Sequence, residues 1–270
     1  MAGDSAEPAK ALEFKEKGNK CFQAGNYTEA EALYTKAINY DPDNPLLYTN
    51  RTLTLLRLRL YTRVVSDALT SIALMPENMK AYYHLAQAHI ALGRPSEALA
   101  SSRKAHAFCV EEIHRGGKGA SSIGPITELV LRCKKEDWEE REDVRLRGRE
   151  GLLGEVVEAL GKGDSVEGTR GKIEEVRRVF DEAGLVDREA RRRKVPDWCV
   201  DDITFAVMLD PVVTKTGQSY DRSSIMEHLK RSPTDPLTRE PLRIEDLRPN
   251  LALKAACEEF IQENGWAVDW

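Results

Sequence analysis

Aromatic and small side chains recur at a spacing of 34 positions along the front of the chain. Four columns of this pattern are Phe14, Tyr48 and Tyr82; Gly18, Thr52 and Ala86; Ala30, Val64 and Ala98; and Ala37, Ser71 and Ala105. Pro42 and Pro76 lie at the same position near the end of the first two repeat units. Small residues let helices approach closely and aromatic residues fill the groove between neighbours, so the pattern predicts stacked pairs of antiparallel helices.

The spacing and the residue types resemble the tetratricopeptide repeat. We expect three repeats over residues 11–110, preceded by a disordered N-terminus over residues 1–10. Residues 111–135 contain the start of an amphipathic segment, Pro125–Trp138, which we expect to form the polar cap that a terminal repeat requires. Arrays of this kind curve, and their concave face binds peptides.

Five polar side chains fall on the predicted inner helices of the repeats: Lys15, Asn19, Asn50, Lys80 and His84. Lys15 and Asn19 are four positions apart and therefore share a helix face, and the same holds for Lys80 and His84. A groove rich in hydrogen-bond donors suits carboxylates, which accept several charge-assisted hydrogen bonds. The alternative is ordinary surface polarity, since lysines on helices are usually just solvated.

The segments around these residues resemble the dicarboxylate clamp of chaperone-binding tetratricopeptide proteins. The matching stretches are Lys15-x-x-Gly18-Asn19, Thr49-Asn50-Arg51 and Lys80-Ala81-Tyr82. The resemblance implies that Lys15, Asn19, Asn50 and Lys80 hold the terminal carboxylate and the last aspartate of an acidic chaperone tail. His84 stands where relatives often carry an arginine, and it completes the candidate tail-binding set.

Residues 136–194 are unusually charged, with 17 acidic and 14 basic side chains. Their sparse apolar residues form two stripes: Leu153, Val156, Val157 and Leu160, then Ile173, Val176, Val179 and Phe180. The glycine-rich stretch 161–168 predicts a turn between them, so we expect a charged helical hairpin. A narrow apolar stripe suits a coiled-coil-like contact, so the hairpin either forms a homodimer or is a spacer without a partner.

The last segment, residues 195–270, predicts a compact α+β domain. Two short strands are expected around a glycine turn: Val212–Thr214 and Gln218–Tyr220. Helices are expected after Asp221 and after Asn250, and the proline-rich stretch 233–249 is expected to be loop. A domain this small needs a stabilising feature in addition to its hydrophobic core, and its two cysteines do not provide one.

Four blocks of this segment resemble the U-box: Ile203-Thr-Phe205-Ala-Val-Met208-Leu-Asp210-Pro211-Val-Val, Gly217-x-x-Tyr220-Asp221-Arg222, Asp235-Pro236-Leu237-Thr238 and Leu247-Arg-Pro249-Asn250-Leu251-Ala-Leu-Lys254. The U-box has the fold of a RING finger without its zinc. The resemblance therefore implies that hydrogen bonds and salt bridges replace the metals. The candidate members of this network are Asp221, Arg222, Asp235, Arg239 and Glu240.

The U-box resemblance also implies an activity. Such a domain binds a ubiquitin-conjugating enzyme that carries ubiquitin as a thioester, and it promotes transfer without a nucleophile of its own. Ile203 and Phe205 match the first-loop apolar contacts to that enzyme, and Pro236 matches the second-loop contact. Arg239 matches a basic residue that bridges the enzyme and ubiquitin, and is the candidate catalytic residue. From the residues alone, the alternative for Ile203 and Phe205 is packing in the core, and the alternative for Pro236 is a proline that only shapes a turn.

Composition narrows the classes of function. The chain has 45 acidic and 40 basic side chains, a formal net charge of −5, which argues against a non-specific nucleic-acid binder. No apolar run approaches the roughly 18 residues of a membrane span, and no secretory signal is evident. The five cysteines are scattered without a C-x-x-C pair, so neither a zinc site nor a disulfide framework is expected, nor any cofactor. Cys199 and Cys257 are expected to be small buried hydrophobes.

These features predict a reduced, cytoplasmic protein. The basic cluster Arg191–Lys194 has two interpretations. It is either a nuclear signal or the solvated end of a helix, where cations also favour the helix dipole. A nuclear location therefore stays open beside the cytoplasmic one.

The order of tetratricopeptide array, charged helical hairpin and U-box resembles the CHIP family of chaperone-associated ubiquitin ligases. The resemblance implies a homodimeric co-chaperone that directs ubiquitin from a conjugating enzyme onto misfolded clients held by heat-shock chaperones. Two other classes stay open. One is a non-catalytic tetratricopeptide adaptor whose C-terminal domain is only structural. The other is a splicing assembly factor, since another U-box family acts there.

Overall fold

The computed structural model describes residues 7–161, 170–180 and 194–270. The front part consists of six helices joined by turns of three or four residues: α1 (Pro8–Gln23), α2 (Tyr27–Tyr40), α3 (Pro45–Arg57), α4 (Tyr61–Leu74), α5 (Met79–Ala91) and α6 (Pro95–His114). Each helix packs on the next one along the chain. This arrangement confirms the predicted mainly α fold with repeat-type helix pairs at the front.

The recurring small residues lie where helices pack closely. Six members of two columns are buried with no exposed surface: Ala30, Ala37, Val64, Ser71, Ala98 and Ala105. Gly18 shows the size limit most directly, because a Cβ atom at this position would lie 2.8 Å from Cε1 of Tyr34. Small residues therefore recur every 34 positions because the closely packed helices leave no room for larger side chains there.

The first helix starts earlier than predicted. It begins at Pro8, so residues 8–10, which were expected to belong to a disordered N-terminus, are helical. Proline is well suited to the first helical position because its φ is already helical and its missing N–H has no partner there in any case. The backbone N–H of Glu7 also donates to the carbonyl of Tyr40 at 2.8 Å, which ties the start of α1 to the end of α2. Residues 1–6 lie outside the described residues.

One helix crosses the predicted boundary at 135/136. Helix α7 runs without a break over 39 residues, Ile123–Gly161, and combines the expected cap with the first half of the hairpin. Pro125 falls in its first turn, where a missing N–H costs little. Near its start, Leu129 and Cys133 pack against Ala86 and Ala98 of the third repeat, as expected of a cap.

The hairpin is described in part. Residues 170–180 form a helix, α8, and the guanidinium of Arg149 on α7 donates to the carbonyl of Phe180 and lies 5.9 Å from the centre of its ring. The two predicted apolar stripes therefore belong to neighbouring helices. Residues 162–168 of the predicted turn and residues 191–193 of the basic cluster lie outside the described residues.

The C-terminal region contains a three-stranded antiparallel sheet in the order β2-β1-β3. Strands β1 (Pro211–Val213) and β2 (Ser219–Asp221) lie within one residue of the predicted strands, around Gly217 at φ 86°. The third strand, β3 (Arg248–Pro249), falls in the stretch predicted to be loop. It is only two residues long and contains a proline, which sequence patterns treat as a strand breaker.

The two predicted C-terminal helices are present. Helix α9 (Arg222–Arg231) starts directly after Asp221, and helix α10 (Leu251–Glu263) starts after Asn250. The side-chain oxygen of Asn250 accepts the backbone N–H of Leu253 at 3.1 Å, which is the cap that the sequence suggested. Cys199 and Cys257 are both fully buried, as predicted.

Candidate functional site

The repeats bring the two predicted asparagines together. Oδ1 of Asn19 on α1 accepts the hydroxyl of Tyr34 at 2.7 Å and faces Nδ2 of Asn50 on α3 at 3.5 Å. Because Oδ1 of Asn19 is occupied by donors, its Nδ2 group is the part left to donate. The pair therefore presents amide donors from two successive repeats.

Gly18 and Tyr34 hold this arrangement in place. The ring of Tyr34 is buried against Gly18, where no side chain would fit, and its hydroxyl reaches Asn19. Burial raises the pKa of Tyr34 to about 12, so the hydroxyl keeps its proton and remains a donor at neutral pH. The orientation of the Asn19 amide is thus fixed by α2, the second helix of the same repeat.

The two predicted lysines lie on the first and last inner helices. Lys15 is partly buried on α1, one turn before Asn19, and Lys80 is exposed in the first turn of α5. Burial, and to a smaller extent the charge of Lys80, lower the pKa of His84 one turn further along the helix. The structure assigns each lysine to its helix, and their contact with a peptide stays a prediction.

His84 differs from the prediction. It is buried, and burial lowers its pKa to about 4, so it is neutral at physiological pH. Its Nδ1 lies 2.8 Å from Oγ1 of Thr52, which donates its own proton to the carbonyl of Thr49 at 2.6 Å. Nδ1 must then carry the proton, which leaves Nε2 as an acceptor. His84 therefore links two repeats from within the core and supplies no cationic donor.

Arg51, which lies beside Asn50 in the clamp-like stretch, has an internal partner. Its guanidinium makes two hydrogen bonds to the carboxylate of Asp67, at 2.7 and 2.8 Å, and a third to Thr35 at 2.9 Å. Both members of the pair are largely buried. Arg51 therefore connects its own helix, α3, to α2 and α4. The groove donors remain Lys15, Asn19, Asn50 and Lys80.

The first loop of the C-terminal region, residues 201–206, is built around Asp201. This buried carboxylate accepts the N–H and the hydroxyl of Thr204, at 2.9 and 2.7 Å, and the N–H of Asp221 at 2.8 Å. At the tip, Phe205 has a left-handed backbone with φ 58° and is 73% exposed. Ile203 is partly buried. An exposed Phe205 excludes the alternative that it belongs to the core.

The second loop, residues 235–240, is built around Asp235. This buried carboxylate accepts the N–H groups of Leu237 and Thr238 at 2.9 and 3.1 Å. Arg239 is exposed and has a left-handed backbone with φ 64°. Pro236 is partly buried, whereas Leu237 is 63% exposed. Leu237 was not among the predicted site residues.

The predicted polar network is partly correct. Asp221 is buried and accepts the N–H groups of Leu209 and Asp210, at 2.8 and 2.9 Å, and Asp235 holds the second loop. Arg222 is also buried, but the side chains of Arg239 and Glu240 are exposed. Three members were missed: Asp201, Asp210 and Lys254, whose Nζ lies 2.8 Å from Oδ1 of Asp210. The signal for Asp201 was the Asp-x-x-Thr spacing that it shares with Asp235.

Across residues 7–161, 170–180 and 194–270, no group of three or more histidine, cysteine or acidic side chains is arranged to hold a metal ion. Within the same part of the chain, none of the helices combines the length and the apolarity needed to cross a bilayer.

Comparisons with known proteins match both ends of the chain. The U-box domain family matches residues 195–266, and two tetratricopeptide families match residues 18–58 and 80–105. The E3 ubiquitin-protein ligase CHIP of Arabidopsis thaliana is 29% identical over 280 residues, which cover 96% of each chain. RNA polymerase II-associated protein 3 of Homo sapiens is 32% identical over 149 residues, 55% of this chain and 22% of its own length.

One solved structure with a similar repeat part is the first TPR of Spaghetti (RPAP3) bound to the HSP90 peptide SRMEEVD. It is 32% identical, has a TM-score of 0.40, and covers 46% of this chain and 96% of its own. The similarity to Arabidopsis CHIP covers 96% of both chains, and it therefore includes the repeats and the U-box. The chain therefore carries tetratricopeptide repeats followed by a U-box domain, and over 96% of its length it is similar to the ubiquitin ligase CHIP of Arabidopsis thaliana.

Proposed function

We propose that this chain is a ubiquitin ligase and co-chaperone. Its repeats bind the acidic C-terminal tail of a heat-shock chaperone, and its U-box directs ubiquitin from a conjugating enzyme onto the client that the chaperone holds. The observation that carries the proposal is Phe205. A large apolar side chain, 73% exposed on a left-handed backbone, costs stability and exposes a surface typical of a docking site.

Transfer proceeds without a covalent intermediate on this chain. A cysteine attacks as its thiolate, and burial raises the pKa of Cys199 to about 11. Cys257 is likewise fully buried. The rate gain therefore comes from positioning. Ile203, Phe205 and Pro236 dock the conjugating enzyme, and Arg239 holds ubiquitin in the reactive pose.

The repeat groove supplies the second half of the proposal. Asn19 and Asn50 form a pair of amide donors, and Lys15 and Lys80 carry positive charge on the neighbouring inner helices. Carboxylates are the groups that such donors bind best. A chain terminus with a nearby aspartate offers two carboxylates, which matches four donors spread over three repeats.

We also propose that the chain is a homodimer in the cytoplasm, with a nuclear fraction still open. The hairpin supports the dimer, because its apolar stripe is only partly buried within one chain: Leu153, Val156, Val157, Leu160, Ile173, Val176 and Phe180. Val179, also predicted for the stripe, is 52% exposed. A second hairpin would cover this surface.

A single-turnover discharge assay tests the ligase function. Ubiquitin-loaded conjugating enzymes of a broad panel are mixed with the full chain, and loss of the thioester is followed over time. We expect faster discharge of at least one enzyme and, with a chaperone and an unfolded client added, ubiquitin on the client. If the chain accelerates none of the panel, the adaptor function replaces the proposed one.

A further inference from the structure

The two helices of each repeat are joined by a three-residue turn of one construction. The middle residue of each turn has a left-handed backbone: Gly25 at φ 81°, Arg59 at φ 58° and Gly93 at φ 67°, each 34 positions from the next. Its N–H donates to the carbonyl three positions earlier, at 3.0, 3.1 and 3.0 Å in the three turns. The turn of the second repeat therefore has the same backbone as the other two, with an arginine where they have glycine.

The arginine in this turn has a cost that no packing contact explains. A left-handed backbone is unfavourable for an L-residue, whereas glycine adopts it freely. A Cβ atom at Gly25 or Gly93 would meet nothing within 4 Å, and Arg59 itself is exposed. Among the residues that the structure describes, the other left-handed non-glycine residues are Phe205 and Arg239, both in the loops proposed to engage the conjugating enzyme. An unfavourable backbone without a packing reason points to a functional side chain.

Two more arginines make this turn strongly basic. Arg57 is the last residue of α3, Arg63 lies in the first turn of α4, and both are exposed. The corresponding positions of the other repeats are not basic, and they hold Gln23 and Glu29 in the first repeat and Ala91 and Glu97 in the third. Arg63 pairs with Glu31 at 2.6 Å, but within the described part of the chain Arg57 and Arg59 form no ion pair.

We infer that this basic turn, formed by Arg57, Arg59 and Arg63, binds a short acidic stretch of a partner protein. A guanidinium presents paired N–H donors that match a carboxylate. At physiological salt a charge acts over about 8 Å, so a short peptide experiences mainly the local arginines. A membrane or a nucleic acid would extend beyond them and meet a chain with a formal net charge of −5.

The basic turn is separate from the groove proposed to bind the chaperone tail, so the inference goes beyond the proposed function. Arg57 lies seven positions after Asn50 and therefore on the same face of α3, about 10 Å further along the helix axis. A carboxylate held by Asn50 does not reach that far. The acidic stretch is therefore held at the edge of the repeats and leaves the groove donors free.

The test uses a peptide of five consecutive glutamates with both termini blocked, which offers the groove no terminal carboxylate. Its binding to the full chain is followed by fluorescence anisotropy. We expect Arg57→Gln combined with Arg59→Gly, which introduces the residues of the first repeat, to weaken binding about tenfold. Lys10→Gln combined with Lys36→Gln is the matched control, because it removes the same charge from exposed lysines on α1 and α2 and should bind as wild type.

The single variants at position 59 separate binding from folding. Arg59→Gly should keep or raise the melting temperature, because glycine accepts the left-handed backbone, while it weakens binding of the glutamate peptide. Arg59→Lys keeps the charge and should retain most of the affinity. A large fall in melting temperature for Arg59→Gly would show that the arginine holds the turn together, and would overturn the inference.

The remaining outcomes are equally distinct. Absence of binding by the wild-type chain, unchanged affinity in the double arginine variant, or an equal loss in the lysine control overturns the role of the basic turn. So does weaker binding of that double variant to an acidic peptide ending in aspartate with a free carboxylate, because the basic turn would then belong to the groove. Binding to phosphatidylserine vesicles that depends on Arg57 and Arg59 would assign the turn to a membrane instead. A wild-type chain that binds the glutamate peptide but not the free-carboxylate peptide contradicts only the proposed groove.

Discussion

Phe205 is held in a conformation that its side chain disfavours. The left-handed region costs an L-residue roughly 1–2 kcal/mol, and asparagine tolerates it better than phenylalanine. We therefore expect Phe205→Asn to leave the free energy of unfolding unchanged or raise it by up to about 1 kcal/mol, while ubiquitin discharge is lost. Urea unfolding and the single-turnover assay measure the two effects.

Arg239→Asn is the matched variant at the other left-handed position. It makes the same change of backbone preference, but it should spare binding of the conjugating enzyme and slow only the discharge step. If Phe205→Asn were fully active, Phe205 would not be a docking residue. If both variants lost binding equally, the separate role of Arg239 would be wrong.

His84 gives the repeats a specific sensitivity to acid. Its pKa is about 4 in the fold and about 6.5 in an unfolded chain, so the unfolded state binds more protons between these values. Stability from this residue is therefore complete above pH 6.5 and falls by about 3 kcal/mol as the pH drops to 4. Urea unfolding of wild type and His84→Gln across this range should show a shallower decline for the variant.

His114 provides the control for this measurement. It is exposed at the end of α6, so His114→Gln should follow the wild-type curve. An unchanged slope in His84→Gln would mean that His84 is accessible to protons in the folded chain. The burial that makes the residue sensitive to acid is a tertiary property, which is why sequence reasoning took it for a groove donor.

At the scale of elements, the three inner helices α1, α3 and α5 should act as one carboxylate site. Lys15→Ala or Lys80→Ala removes a charged donor worth about 1.5–3 kcal/mol, so binding of an acidic peptide that ends in aspartate with a free carboxylate should weaken at least about tenfold. Amidation of its terminal carboxylate should have a similar effect. Lys36→Ala, an exposed lysine on α2, is the charge-matched control. Calorimetry that found equal affinities for acid and amide peptides would exclude the clamp.

Elements with a strong local pattern were predictable from the sequence. The repeats could be predicted from the 34-residue spacing because close helix packing, as at Gly18, restricts the size of the side chain at the same position of each repeat. The continuity of α7 was missed because the composition changes at about residue 136, where the chain becomes strongly charged, while the helix continues. Strand β3 was missed because two residues carry no periodicity.

The candidate sites divide in the same way. Phe205 and Asn19 were found through family motifs, and the structure adds how each is held. Asp201 was missed because its importance depends on its burial, which a polar side chain does not reveal in a sequence, although the Asp-x-x-Thr spacing that it shares with Asp235 was present.

At the scale of the whole molecule, we expect light scattering at micromolar concentration to give about twice the 30.4 kDa chain mass. The partly exposed stripe on α7 and α8 gives the reason. Ile173→Asp combined with Val176→Asp places charge on this stripe and should yield a monomer. Leu69→Asp on α4, at a leucine 52% exposed in the repeats, should not. A wild-type monomer at tens of micromolar would make the hairpin a spacer.

Four of the five cysteines have no exposed surface, and this burial has a redox consequence: Cys109, Cys133, Cys199 and Cys257. With the pKa of Cys109 and Cys199 raised to about 11, only about one thiol in ten thousand is ionised at pH 7, and the thiolate is the form that oxidants attack. The fifth, Cys21, is partly buried, and burial together with the nearby Glu29 also raises the pKa of its thiol. The most reactive thiol of the pathway then belongs to the conjugating enzyme. A mild oxidant should stop ubiquitin transfer at that enzyme, and fresh enzyme should restore it without new synthesis of the ligase.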